Sequence, residues 1–258
     1  VKKIGFLTVF ILRFVLIFAQ GEVDTTKKIF FRNEKTFEFK LNSNGWGINY
    51  RYAKRIDAAR KFMYDGDMNI MKNSKEYKQY SENPTSTRFV YGKLNYVVCF
   101  RTSVGRQREL FRKFDRGSVS IRIFESVGGT VAVLKPIYYQ VLNLTTGQTE
   151  NLKFDKTLPS FQPVGLSPVY MGLSELKFIP GVFVKVGASF EFSKRDNKMR
   201  ALEAGFCFDA YPKKIEIMAT TENSALFPTV YVSFRFGRVV SGYHLKDVDE
   251  GKIPDSKK

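Results

Sequence analysis

GVFVKVGASFEFS, residues 181 to 193, decides the fold of this chain. Val182, Val184, Val186, Ala188, Phe190 and Phe192 stand at even positions, and Phe183, Lys185, Gly187, Ser189, Glu191 and Ser193 at odd ones. Side chains of an extended strand alternate between two faces, so this stretch predicts a β-strand with one apolar face and one mostly small or charged face. The same period continues on both sides. Toward the C-terminus, Leu202, Ala204, Phe206, Phe208 and Ala210 alternate with Glu203, Gly205, Cys207 and Asp209, and Val230, Val232, Phe234 and Phe236 with Tyr231, Ser233 and Arg235. Toward the N-terminus, Val90, Leu94, Tyr96, Val98 and Phe100 oppose Tyr91, Lys93, Asn95 and Arg101. Phe62, Tyr64, Met68 and Ile70 oppose Asp65, Asp67 and Asn69. Trp46, Ile48, Tyr50 and Tyr52 face away from Asn49 and Arg51, and Phe37, Phe39 and Leu41 from Glu38, Lys40 and Asn42. Residues 117 to 134 are less regular: Val119, Ile121 and Ile123 oppose Ser120 and Arg122, Glu125 falls on the apolar face, and Gly128-Gly129 predicts a bulge that resets the phase.

These eight segments predict an all-β fold, an eight-stranded antiparallel transmembrane barrel over residues 35 to 237. Most are long enough for the roughly 9 to 11 residues with which a tilted strand crosses a bilayer. A soluble barrel or sandwich has the same period with its apolar face turned inward, so alternation alone leaves both open. Aromatic residues near the strand ends, placed as a girdle would be, favour the membrane. So does the opening stretch VKKIGFLTVFILRFVLIFAQG, which reads as a signal peptide over residues 1 to 21, with Lys2 and Lys3 before an apolar run and Ala19-Gln20-Gly21 at the cut. Its rival, a membrane-anchoring helix, is interrupted by Arg13. Residues 22 to 34 are then a periplasmic N-terminal segment, 238 to 258 a flexible periplasmic tail, and the cell outer membrane the expected location.

Composition narrows the function. Of 258 residues, 42 are Lys or Arg and 25 Asp or Glu, a formal net charge of +17, and 15% are aromatic. Two Cys, at 99 and 207, provide neither a disulfide scaffold nor a four-ligand zinc site. The single His, His244, lies beyond the last strand, so hydrolysis by a barrel lipase or protease lacks its positioned base. No enzyme, metal or cofactor is read from this sequence.

An apolar face toward lipid requires that the other face fill the barrel, because eight strands enclose only enough space for side chains. The inward charges are then Lys40, Arg51, Lys93, Arg101, Arg122, Lys185 and Arg235 against Glu38, Asp65, Asp67, Glu191, Glu203 and Asp209, seven against six. Such near-neutrality in a basic chain is what a closed ion-pair network demands. A water-filled channel does not require it. Asp65 and Asp67 are read as partners of these cations rather than as a Ca²⁺ site, and Cys99 and Cys207 as buried free thiols.

With both termini on the periplasmic side, residues 43 to 45, 72 to 88, 135 to 179 and 213 to 228 are expected outside, and 54 to 61, 105 to 116 and 194 to 198 in inner turns. The inner turns hold Lys54, Arg55, Arg60, Lys61, Arg106, Arg108, Arg112, Lys113, Arg116, Lys194, Arg195 and Lys198, a basic periplasmic rim. Lipid phosphates or an acidic envelope protein would suit it. The long 135 to 179 segment is the other expected recognition element, and nucleic acid is not an expected partner of an exported chain.

The eight-strand pattern resembles the small outer-membrane barrels typified by OmpA and OmpX. The segments GWGINYRYAKR, VYGKLNY, VGRQRELFRKFDRGSVSIR, LKPIYY, PGVFVKVGASFEFS and EAGFCFDAYPKKIEIM further resemble an uncharacterised family of such barrels in Bacteroidota. That resemblance implies a non-enzymatic envelope component, a structural or accessory subunit of an outer-membrane assembly or secretion machine. A narrow solute pore is the alternative, and a lipid-modifying barrel enzyme a weaker one.

Overall fold

The computed structural model describes residues 32–57, 59–79, 88–113, 118–142, 147–154, 163–194, 198–219 and 222–241. The signal peptide, His244, Arg116 and Arg195 lie outside the described residues. The strands are β1 (Arg32–Asn42), β2 (Gly45–Arg55), β3 (Arg60–Met71), β4 (Lys78–Gln79), β5 (Phe89–Val90), β6 (Asn95–Phe111) and β7 (Ser120–Pro136). They continue with β8 (Tyr138–Leu142), β9 (Thr149–Lys153), β10 (Pro163–Leu166), β11 (Lys177–Glu191), β12 (Lys198–Ala210) and β13 (Leu226–Ser241).

Eight of them close into a barrel in the order β1-β13-β12-β11-β7-β6-β3-β2, each antiparallel to its neighbours. Closure leaves no unpaired edge, which is what a sheet surrounded by hydrocarbon needs because no water is there to satisfy backbone groups. The short connections after β2, β6 and β11 lie at one rim with the start of β1 and the end of β13, the terminal rim. The connections after β1, β3, β7 and β12 lie at the opposite, loop end, all but the two-residue first of them long.

Exposure decides between the two readings of the period. Phe206 is 64% exposed, Val182 62% and Phe37 56%, whereas Arg235, Ser189 and Asp209 are fully buried. Phe, Val, Leu, Ile, Tyr and Trp cover the outside of the wall, and charge fills the inside. A soluble barrel needs the reverse, and a continuous apolar exterior of this extent would aggregate in water.

The eight alternating segments of the sequence all appear as barrel strands, but several boundaries move. The barrel runs from Arg32 to Ser241, so the end of the expected N-terminal segment and residues 238 to 241 of the expected tail are paired strand. β6 extends through Phe111, which places residues 105 to 111 in the wall instead of an inner turn. Backbone pairing needs no apolar side chain, so a ladder continues past the point where the apolar pattern stops. No bulge occurs at Gly128-Gly129: both ladders of β7 run through them in register, and the shift falls between Glu109 and Phe111. Gly128 instead permits close approach, since a Cβ there would fall 2.0 Å from the Thr102 carbonyl oxygen.

At the loop end, β8, β9 and β10 form a small sheet and β4 pairs with β5. Phe89, Ile137, Tyr139 and Val141 give this excursion an apolar cluster of its own, with Phe154 and Leu166 packed against it. The β12–β13 connection does not stay outside. Ile215, Ile217 and Met218 turn into the barrel mouth and pack on Met71, Val97, Cys99, Ala132, Leu134 and Tyr211. The Leu94 N–H donates to the Ile217 carbonyl at 2.9 Å, and the Ala219 N–H to the Gly92 carbonyl at 2.7 Å, so two loops are stitched together over the opening.

Candidate functional site

The barrel interior is the site on which function turns, and its charges form three tiers below the apolar stopper. Nearest the stopper, Arg101 donates both Nε and Nη2 to Asp209, at 2.7 and 2.8 Å, and Nη1 to Asp67 at 3.3 Å; Lys40 also pairs with Asp67. In the middle, Arg51 grips Asp65 through Nε (2.7 Å) and Nη2 (3.1 Å) and reaches Glu203 through Nη1 (3.1 Å). Arg235 meets Glu203 at 2.8 and 3.1 Å, pairs with Glu38, and donates to Thr36 Oγ1 (3.0 Å) and Asn49 Oδ1 (3.2 Å). Lys185 Nζ completes this tier 3.4 Å from Glu38. At the terminal rim, Glu34 pairs with Lys61 and Arg122, and Glu191 with Arg122 and Lys113.

Two kinds of contact build this network. Register alone places Glu38 opposite Arg235, Arg51 opposite Asp65 and Asp67 opposite Arg101 on neighbouring strands. The pairs Arg101–Asp209, Arg51–Glu203 and Lys185–Glu38 join strands that are not neighbours, so they span the lumen and exist only because the barrel closes. Rings stand among the cations: Arg51 lies 4.7 Å from the Phe124 centroid, Lys185 4.8 Å from Tyr231 and Arg101 5.5 Å from Phe183. A ring face beside a cation out of water adds to its stabilisation. The inward phases of Phe183 and Tyr231 were visible in the sequence, but their service to the cations was not.

Twelve of the thirteen expected network residues face inward. Lys93 does not belong: it precedes β6 and sits under the excursion, its Nζ 2.6 Å from Glu76 Oε2. The period carried it into the strand, whereas the chain turns at Tyr91-Gly92, where Gly92 takes a φ of 73°. Glu34, Lys61, Glu109 and Lys113 join the network, which among the described residues pairs eight cations with eight carboxylates. Both thiols are buried and free, Cys99 accepting from the Tyr211 hydroxyl at 3.3 Å.

The basic rim is not one surface. Lys61 and Lys113 turn inward and close the terminal tier. Arg55 donates to the Asp57 carbonyl at 2.9 Å, and Arg112 lies 3.5 Å from Glu109. Lys194 is exposed in the β11–β12 turn, whereas Lys54, Arg60, Arg106, Arg108 and Lys198 are exposed on the outer face of the wall. A net basic count could not separate these groups because strand phase assigns neighbours to opposite faces.

In the excursion, the Tyr138 hydroxyl donates to Glu175 Oε1 at 2.7 Å and Lys153 pairs with the same carboxylate. The Lys153 hydrogen bond holds the Glu175 carboxyl below its ordinary range, and Glu175 in turn raises the Lys153 ammonium. Burial pushes the Tyr139 hydroxyl up, and it donates to the carbonyls of Val90 (2.7 Å) and Lys93 (2.8 Å), tying the sheet to the mouth. Among the described residues no three His, Cys, Asp or Glu side chains are grouped to hold a metal ion.

The sequence matches no family model and no curated protein. Among solved structures, the chain is similar to the attachment invasion locus protein Ail of Yersinia pestis in complex with the heparin analogue sucrose octasulfate, at 7% identity and TM-score 0.38, covering 81% of this chain and 97% of that one. It is also similar to Neisserial surface protein A, at 10% identity and TM-score 0.37 over 82% and 96% of the two chains. The N-terminal β-barrel domain of Pseudomonas aeruginosa OprF shows 8% identity and TM-score 0.36 over 80% and 99%.

Proposed function

We propose that this chain is an integral outer-membrane barrel without enzymatic activity, a non-conducting structural component that serves an envelope assembly or secretion machine as an accessory subunit. One observation carries the reading: the wall is apolar outside, while inside it, among the described residues, eight cations are matched by eight carboxylates, and several of the pairs bridge the lumen. A conduit for solutes needs mobile charge and water along its axis. Here the charges are consumed by one another, and Ile215, Ile217 and Met218 stopper the mouth. What remains available to other molecules is the two ends. The described part of the excursion, with β8, β9 and β10, has its own apolar core and ion pair, and so offers a fixed shape to a partner outside. The terminal rim faces the periplasm.

Affinity purification from detergent-extracted envelopes at low salt, followed by mass spectrometry, tests the accessory role. A stoichiometric envelope partner is expected, and its recovery should fall when the excursion is shortened. Recovery of the barrel alone would refute the accessory role and leave a free-standing barrel.

A further inference from the structure

The cations on the outside of the wall are distributed in a way that the lumen network does not explain. Most sit on outward positions toward the terminal rim, past the apolar run at mid-wall: Lys35 beyond Phe37, Arg238 beyond Phe236, Lys54 beyond Tyr52, Arg106 beyond Val104 and Arg200 beyond Leu202, with Val240 and Leu110 outward again nearer the edge. Pairing then sets like charges abreast. Arg238 is directly opposite Lys35 on one side and Lys198 on the other, giving three cations in a row across β1, β13 and β12. Arg108 is directly opposite Arg60, with Arg106 two residues along and Phe62 between Arg106 and Lys54.

Directly opposed side chains on an antiparallel ladder have Cβ atoms only about 4.5–5.5 Å apart, and like charges there destabilise the sheet. Among the described residues none of Lys35, Lys54, Arg106, Arg108, Lys198 and Arg238 has an ion pair, and Arg60 has only exposed Asp57 at 3.7 Å. On the outer face of the described barrel strands there is one carboxylate, Glu125, directly opposite Arg106 at the edge of the arc but not in an ion pair with it. The arc covers β12, β13, β1, β2, β3 and β6, whereas at the same level β7 and β11 present no cation, with Glu125, Ile123 and Ile121 on β7 and Phe190 on β11.

We infer that this arc is a binding surface for anionic phospholipid, whose headgroup phosphates bridge the opposed cations. The inference rests on the membrane-spanning reading above. Direction favours lipid over an acidic protein, because the side chains point sideways from the wall, at the border of the apolar belt, where headgroups stand. Phe62, Tyr52 and Tyr64 beside them supply the aromatic cover of an interface. The bare β7–β11 sector makes the lipid shell asymmetric.

The test uses the full chain reconstituted with phosphatidylcholine alone or with added phosphatidylglycerol, and native mass spectrometry to count retained lipid. Preferential retention of phosphatidylglycerol is expected, weakening by about fivefold for each cation removed from the arc. Lys35→Gln/Lys198→Gln/Arg238→Gln should lose much of the preference, and Arg60→Gln/Arg106→Gln/Arg108→Gln independently so. Lys213→Gln/Lys214→Gln, exposed at the loop end, should keep it. Equal retention of the two lipids by the wild type, or a preference unmoved by both arc variants, overturns the inference while leaving an inserted barrel intact. Capture of an acidic protein that the arc variants abolish, without any lipid preference, likewise overturns it in favour of a protein partner. Failure to insert into either lipid overturns the membrane reading itself and the inference with it.

Discussion

Arg235→Met is the perturbation that most directly interrogates the filled lumen. The side chain is completely buried and hydrogen-bonds Glu203, Glu38, Thr36 and Asn49. Methionine removes the fork and leaves two carboxylates to be satisfied by what remains: Glu203 retains Arg51 at 3.1 Å, and Glu38 retains Lys185 at 3.4 Å. Removing one partner of a buried pair typically costs roughly 3–5 kcal/mol, mostly the penalty of the stranded charge. Two carboxylates lose a partner here, so the upper part of that range, about 4–5 kcal/mol, is expected. Adding Glu38→Gln to Arg235→Met removes one stranded charge, so the double variant should recover about 1–3 kcal/mol relative to additivity. Urea unfolding from lipid vesicles reads both, with the single tryptophan, Trp46, as the reporter on the outer face. A loss below about 1 kcal/mol for Arg235→Met, in the range of an exposed pair, would refute the closed network and mean that water already solvates these charges.

The reconstituted barrel should be electrically silent in planar bilayers, and a stable, reproducible unit conductance in the wild type would overturn the non-conducting reading. Ile217→Ala removes a buried stopper side chain and should lower stability by roughly 2–5 kcal/mol in the same urea assay, with a smaller effect showing that the mouth collapses around the gap. Single Cys labels at positions 182 to 192 in a Cys99/Cys207-free background should react with a lipid-soluble maleimide at even numbers and be protected at odd ones; equal reactivity in water at even positions would contradict a lipid-facing surface. Val184→Arg on that face should cost roughly 2–4 kcal/mol if it sits near mid-membrane and reduce assembled barrel on a gel, whereas Ser189→Arg should fail by overpacking the fully buried wall.

The sequence by itself determined the strands and the face of almost every side chain in them, because a period of two is a local property that needs no knowledge of the partner. Lys40, Arg51, Arg101, Lys185 and Arg235 were thereby legible as one set with their carboxylates. The period could not say which face is outside, since a soluble barrel obeys it equally, and only the exposed Phe37, Val182 and Phe206 answer that. Nor could it follow the chain where alternation continues without a strand: Lys93 keeps the phase yet follows a turn and only bridges Met218, and Ile215 and Ile217 alternate in a loop that folds back into the mouth. Tertiary structure also decided which charges meet. Arg101 with Asp209 and Arg51 with Glu203 are pairs between strands that touch only across the lumen, and closure and register, being properties of the whole sheet, set those distances.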